Sequence, residues 1–235
     1  MLVSLALSLF LLCHRTGKVD GHSSDMLALL HFKKTIAAAG DPNGARKSWN
    51  KSTPFCRWDG VFCTRKHPGR VIALDLSGQG LSGPISPYLG NLTLLRELTL
   101  SDNSLSGPLP PLNRLHRLEV LDLGYNSLHD TIPDVVANCS NLRTIDLYHN
   151  NLVGEIPLKL GLLSNLVVSR LSRNRLSGMV PRTISNISHI EKITLSYNQL
   201  TGNIPGELGQ LLDLSYLALG GNNLSDGKWH TALSS

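Results

Sequence analysis

One arrangement of side chains recurs at a fixed step through most of this chain, and it leaves few folds open. The string LxxLxLxxNxL begins at Val71, Leu95, Leu118, Leu142, Leu166, Ile190 and Leu214. The step is 24 residues, with one of 23 where the second copy is a residue short after Pro110 and Pro111. A unit of this size cannot bury an apolar face alone, but it can against its neighbours. The period therefore predicts a solenoid in which each copy touches only the copies beside it.

Each copy opens on a short strand. In the third, Leu118, Leu121 and Leu123 are expected to point inward, with Glu119, Val120, Asp122, Gly124 and Tyr125 outward. Neighbouring strands pair about 4.8 Å apart, so seven span roughly 30 Å as a parallel sheet on a concave face. The ninth position holds Gln79, Asn103, Asn126, Asn150, Asn174, Asn198 and Asn222. The chain turns off the sheet there, and unpaired backbone groups in that turn are costly. An Asn amide brings both donor and acceptor to pair them. A column with one member per copy is structural rather than catalytic. Gln79 departs from it, beside the end of the stack.

The second half of each copy reads LSGPI at 81–85, LSGPLP at 105–110, LVGEIP at 152–157, LSGMVP at 176–181 and LTGNIP at 200–205. Gly permits close backbone approach, and Pro ends local pairing. The third copy departs, with Asp130 in place of the Gly. Period and spacing are the leucine-rich-repeat signature, and the L-x-G-x-I-P variant resembles its plant-specific class. That resemblance implies a second, lateral strand per copy and a twist: an α/β solenoid, wound as a right-handed superhelix.

The formal net charge of +5 could point to an anionic partner. The excess lies ahead of the repeats, where Arg46, Lys47, Lys51, Arg57, Arg65, Lys66 and Arg70 face only Asp41 and Asp59. No nucleic-acid motif accompanies them, so a solvated basic surface is the reading. Residues 2–12 are an apolar run too short for a bilayer but suited to a signal-peptide core. The expectation is a signal peptide over 1–22, cleaved between Cys13 and Ser23. No later run reaches 18 apolar residues, so no membrane span is expected.

Behind a secretory signal, the close pair Cys56 and Cys63 reads as a disulfide. A zinc site would need two more ligands nearby, and only His67 is close. Cys139 is expected to be a buried free thiol. Sequons at Asn50, Asn91, Asn138, Asn186 and Asn223 are candidate glycan sites.

Ahead of the repeats, Ser24 and Asp25 precede residues 26–34, which read as a capped amphipathic helix ended by residues 40–44. Trp49 and Trp58 suit the core of a unit that closes the end of the stack. The segments ALLHFK at 28–33, Trp49, CRWDGVFC at 56–63, RVIALDL at 70–76 and ISPYLGNL at 85–92 are similar to the N-terminal cap of plant leucine-rich-repeat receptor kinases and receptor-like proteins, the immune-type subfamily in particular. The resemblance covers roughly residues 24–225. It implies a helical, disulfide-closed cap over 23–70, repeats over 71–225 in about 6.5 copies, and an irregular tail over 226–235. It further implies an ectodomain, secreted to the apoplast or held at the plasma-membrane surface. Its expected partners are a protein or peptide ligand and a co-receptor ectodomain.

This chain departs from those receptors. The seventh copy stops at Leu224 and Ser225, no Cys pair follows, and there is no Gly-rich nucleotide loop, H-R-D or D-F-G. The expectation is a truncated receptor ectodomain in defence or developmental signalling. The alternatives are a secreted inhibitor of microbial cell-wall hydrolases, resembling plant polygalacturonase inhibitors, and a non-functional truncated product.

No catalytic residue, cofactor or metal is expected. The nine His residues are scattered, and H-E-x-x-H and G-x-S-x-G are missing. Asp75, Asp122 and Asp146 form an outward column. Asp122 and Asp146 would sit roughly 5 Å apart, as in a retaining glycosidase, but L-D-L is the ordinary strand pattern of these repeats. The expected ligand surface is Tyr125, Tyr148, His149, Arg170, Arg173 and Tyr197, read as outward strand positions on adjacent copies. Aromatic and Arg side chains are the usual interface anchors. Ser169 takes an inward position that is Leu or Ile in every other copy, so the core is expected to be underpacked there.

Overall fold

The computed structural model describes residues 21–37, 47–50, 52–66 and 68–225. Most of the expected signal segment, the helix stop at 40–44 and the tail from 226 lie outside them. With strands numbered in chain order, the principal sheet comprises β1 (Val61–Cys63), β2 (Val71–Asp75), β4 (Glu97–Thr99), β6 (Val120–Asp122), β8 (Thr144–Asp146), β10 (Val168–Arg170), β12 (Lys192–Thr194) and β14 (Tyr216–Ala218). They lie in that order, and every pair from β2 to β14 is parallel. The repeat strands thus stack in register, copy upon copy. The inward side chains at the first, fourth and sixth positions of the first six copies are all buried, Leu, Ile or Val at every place but Ser169.

The Asn column carries out the bonding its chemistry allows. The Asn150 Oδ1 accepts from the Leu128 N–H at 2.9 Å, and its amide donates to the Leu123 carbonyl at 3.0 Å and the Leu147 carbonyl at 3.3 Å. Asn103, Asn126, Asn174, Asn198 and Asn222 repeat the scheme one copy apart. Each amide therefore stitches its own turn to the preceding copy. Among the described residues, the Gln79 side chain bonds its own turn, through the Ser77 carbonyl at 3.3 Å.

Lateral strands form as the resemblance implies, but in two sheets. One holds β3 (Ser82–Pro84), β5 (Ser104–Gly107) and β7 (Ser127–Leu128). The other holds β9 (Val153–Glu155), β11 (Arg175–Met179), β13 (Gln199–Asn203) and β15 (Asn223–Ser225). Only an isolated Thr131–Val153 bridge joins them. The break falls where Asp130 replaces Gly. The backbone keeps the left-handed conformation there, at φ 68°, which an L side chain adopts at a cost.

The first end of the stack is closed by α1 (Gly21–Ala37), which packs against the 3-10 turn Pro87–Asn91, and by β1, which pairs antiparallel with β2. Cys56 and Cys63 form the expected disulfide. Trp49 and Trp58 are buried with ring centroids 5.2 Å apart, and their indole N–H groups donate to the Asp59 and Thr53 carbonyls. One expectation is corrected. Ser24 and Asp25 lie inside α1, which starts at Gly21, and they do not precede it. The Asp25 carboxylate is fully buried and accepts from Arg70 Nε at 2.8 Å, Arg70 Nη2 at 3.0 Å and the Val71 N–H at 2.9 Å. A buried carboxylate needs such partners, so Asp25 ties the helix to the first repeat strand and leaves the helix terminus uncapped by it.

Candidate functional site: the concave face

The residues expected on the ligand surface do come together, but the turn, more than the strand, presents them. Only Arg170 lies in a strand. Tyr125, His149, Arg173 and Tyr197 occupy the eighth position of their copies, with φ of 51°, 55°, 56° and 57°. The first and last copies place Gly78 and Gly221 there, at 64° and 71°. In the first six copies the turn takes the left-handed region with this N–H donating to a carbonyl of the next copy, as Tyr125 does to Tyr148 at 2.8 Å. Bulky side chains therefore stand where glycine is easiest, a kind of strain that concentrates at binding surfaces.

The side chains form a continuous strip. Tyr125 meets Tyr148 edge to face at 5.0 Å, and His149 lies 5.3 Å from the Tyr125 ring. The Arg170 guanidinium sits 5.5 Å above the Tyr148 ring, and the Arg173 guanidinium 4.8 Å above Tyr197. Such contacts contribute about 0.5–1 kcal/mol each at exposed sites, enough to hold a long side chain in place without neutralising it. Tyr148 raises the Tyr125 phenol above its ordinary pKa.

Three residues on this face, two at one end and one at the other, escaped sequence reasoning. Lys192 Nζ lies 4.8 Å over the Tyr216 ring, on paired positions of β12 and β14. The third-position column would have revealed them, because the strand register aligns it across copies. At the other end, Phe62 stands 56 % exposed above Ala73, Asp75, Glu97 and Thr99, in a recess of about 350 Å³.

The outward Asp column is structural. Asp75, Asp122 and Asp146 each accept the N–H of the residue two positions on, at 3.1, 3.1 and 2.9 Å. Asp122 also accepts from the Ser101 hydroxyl at 2.9 Å, and Asp146 from Arg170 at 2.7 Å. Burial raises the Asp146 carboxyl above its ordinary pKa, and the Tyr148 N–H and Arg170 oppose that shift. These carboxylates shape the start of the turn and are already committed.

The sequon residues lie away from this face. Asn91, Asn138 and Asn186 end the 3-10 turns opposite the principal sheet, and Asn223 opens β15. Asn50, Asn138, Asn186 and Asn223 are exposed, whereas Asn91 is half-buried and accepts from Arg114 at 2.7 Å. Among the described residues, no helix is long and apolar enough to cross a membrane.

Comparison with known proteins gives the same picture. A profile described as leucine rich repeat N-terminal domain matches residues 22–64, and leucine-rich-repeat profiles match 94–114, 116–160 and 164–224. The LRR receptor-like serine/threonine-protein kinase EFR of Arabidopsis thaliana is 46 % identical over 99 residues, 42 % of this chain and 9 % of that protein. The chain thus spans about a tenth of the length of that relative. The Arabidopsis receptor kinase HAESA, solved in complex with the peptide hormone IDA and the co-receptor SERK1, superposes with a TM-score of 0.77 at 33 % identity, over 84 % of this chain and 33 % of that one. Pollen Receptor Kinase 3 superposes with a TM-score of 0.75 at 30 % identity, over 86 % of this chain and 97 % of that one. Cap, disulfide, repeats and lateral strands together place the chain in the plant leucine-rich-repeat receptor ectodomain family.

Proposed function

We propose that this chain is an extracellular recognition module of a leucine-rich-repeat receptor-like protein in defence or developmental signalling, and that it takes a protein or peptide ligand on its concave face. The single observation that supports this most is the strip of Tyr125, Tyr148, His149, Arg170, Arg173 and Tyr197. Aromatic and Arg anchors there are contiguous, and four of them sit in backbone positions that glycine would fill more cheaply. HAESA was solved with both a peptide hormone and a co-receptor, which supports a co-receptor ectodomain as the second partner here. Secretion, or display at the plasma-membrane surface, follows from the same reading, as do glycans at the exposed sequons. The test uses a displayed library of random dodecapeptides panned against the purified chain. Tyr148→Ala and Arg173→Ala should each weaken the enriched peptides roughly tenfold or more. Unchanged affinity in both variants moves the site elsewhere.

A further inference from the structure

Charge in the middle of the concave face is sorted by copy, whereas the second position carries mixed signs at Arg96, Glu119, Arg143 and Glu191. Consider the third, fifth, seventh and eighth positions, which cover the middle of that face. In the first four copies they hold Asp75, Glu97, Asp102, Asp122 and Asp146, and no Lys or Arg. In the last three they hold Arg170, Arg173 and Lys192, and no Asp or Glu. The two blocks meet at the Asp146–Arg170 pair, which neutralises the junction at 2.7 Å. Away from it, Asp75 and Asp122 are occupied by their own turns. Glu97 and Asp102 on one side, and Arg173 and Lys192 on the other, have no ion-pair partner among the described residues.

We propose that this face selects an extended peptide with a basic side chain and an acidic one about four to six residues apart, the two straddling the Tyr125–Tyr148–His149 cluster. The inference rests on the concave-face reading and adds the ligand's chemistry and its orientation along the stack. The spacing follows from the register. Glu97 and Lys192 share one column, paired through Val120, Thr144 and Val168. Four strand steps separate them, roughly 19 Å, and three separate Asp102 from Arg173, roughly 14 Å; an extended chain advances about 3.3 Å per residue. At the acidic end, the exposed Phe62 ring offers a wall for the aliphatic stem and charge of a Lys or Arg side chain. At the basic end, Tyr197 and Tyr216 hold the two cations without cancelling them. Two blocks of opposite sign fix how an elongated ligand lies, because reversing it sets like charges against each other at both ends.

The test pans the full chain with displayed random dodecapeptides at low salt. Enriched sequences should pair Lys or Arg with Asp or Glu at the stated spacing. Glu97→Lys combined with Asp102→Lys should abolish selection for the basic residue and keep selection for the acidic one. Arg173→Glu combined with Lys192→Glu should do the converse. Each double variant should weaken a wild-type peptide at least tenfold, and the loss should shrink as salt is raised. Thermal melts confirm that the variants fold. Peptides that need Tyr148 but show no charge pairing overturn the proposal and leave the concave-face reading intact. Peptides indifferent to Tyr148→Ala overturn both. Failure to enrich any sequence also overturns the proposal.

Discussion

Ser169 shows how much one side chain decides in a stack. Its Cα pairs with Ile145 and Ile193 on either side. It keeps 7 % accessibility where they keep 0 % and 1 %, as a short side chain leaves in a column built for Ile and Leu. Large-to-small differences at buried sites amount to about 2–5 kcal/mol. Ser169→Leu should therefore recover part of that and raise the thermal midpoint; an equal or lower midpoint would mean that neighbouring side chains have already closed the gap. Cys139 carries the opposite lesson, a polar group fully absorbed. Its thiol is buried and donates to the Leu112 carbonyl at 3.3 Å, and burial pushes its pKa to about 12 from an ordinary 9.0. It should resist alkylation at pH 8 until the protein is unfolded. Above about pH 9 the unfolded chain ionises this thiol and the folded one does not, so its contribution to stability is lost as pH rises toward 12. Base titration of the thermal midpoint, wild type against Cys139→Ala, isolates that loss as the difference between the two curves.

At the scale of elements, the lateral ladder depends on one backbone torsion per copy. Gly154, Gly178 and Gly202 take φ of 77°, 76° and 74°, and a Cβ on Gly154 would stand 2.8 Å from Thr131 Cγ2. Asp130 holds the same torsion with a side chain, and the ladder is reduced to a single bridge there. Asp130→Gly removes a left-handed strain of about 1 kcal/mol and adds a comparable flexibility cost. The expected result is a midpoint changed by no more than a few degrees, with greater hydrogen-exchange protection at the Val153 N–H, which donates to the Asp130 carbonyl. Protection left unchanged would show that the break has another cause.

For the whole molecule, the consequential contact is the one that ties the cap to the stack. Asp25 joins α1 to Arg70 and Val71 across 45 and 46 residues of sequence. Removing one partner of a buried pair typically costs about 3–5 kcal/mol, because the other is left unsatisfied. Asp25→Ala should lower the midpoint strongly and expose the buried Trp49 and Trp58, which fluorescence quenching would detect. Cys56→Ser with Cys63→Ser, which opens a short loop, should cost less, about 2–3 kcal/mol. If the disulfide variant were the less stable of the two, the ion pair would not be the main tie.

Much of this was legible in the sequence because a repeat states its geometry many times over. The inward columns and the Asn ladder follow from residue type at fixed spacing, since every copy must solve the same burial problem; the lateral strands came from the resemblance to the plant class, and the disulfide from a close Cys pair behind a secretory signal. That the six residues of the concave strip fall on adjacent copies was also readable, but the strand positions expected for them hold only for Arg170. What the sequence did not disclose depends on contacts between segments that share no period. Asp25 looked like a helix cap because its partners lie far along the chain. The left-handed turn under Tyr125, His149, Arg173 and Tyr197 was hidden because its hydrogen bonds reach into the next copy. That Lys192 seats over the Tyr216 ring, and that Glu97, Asp102, Arg173 and Lys192 stand without ion-pair partners among the described residues, is decided by side-chain contacts that only the tertiary structure sets.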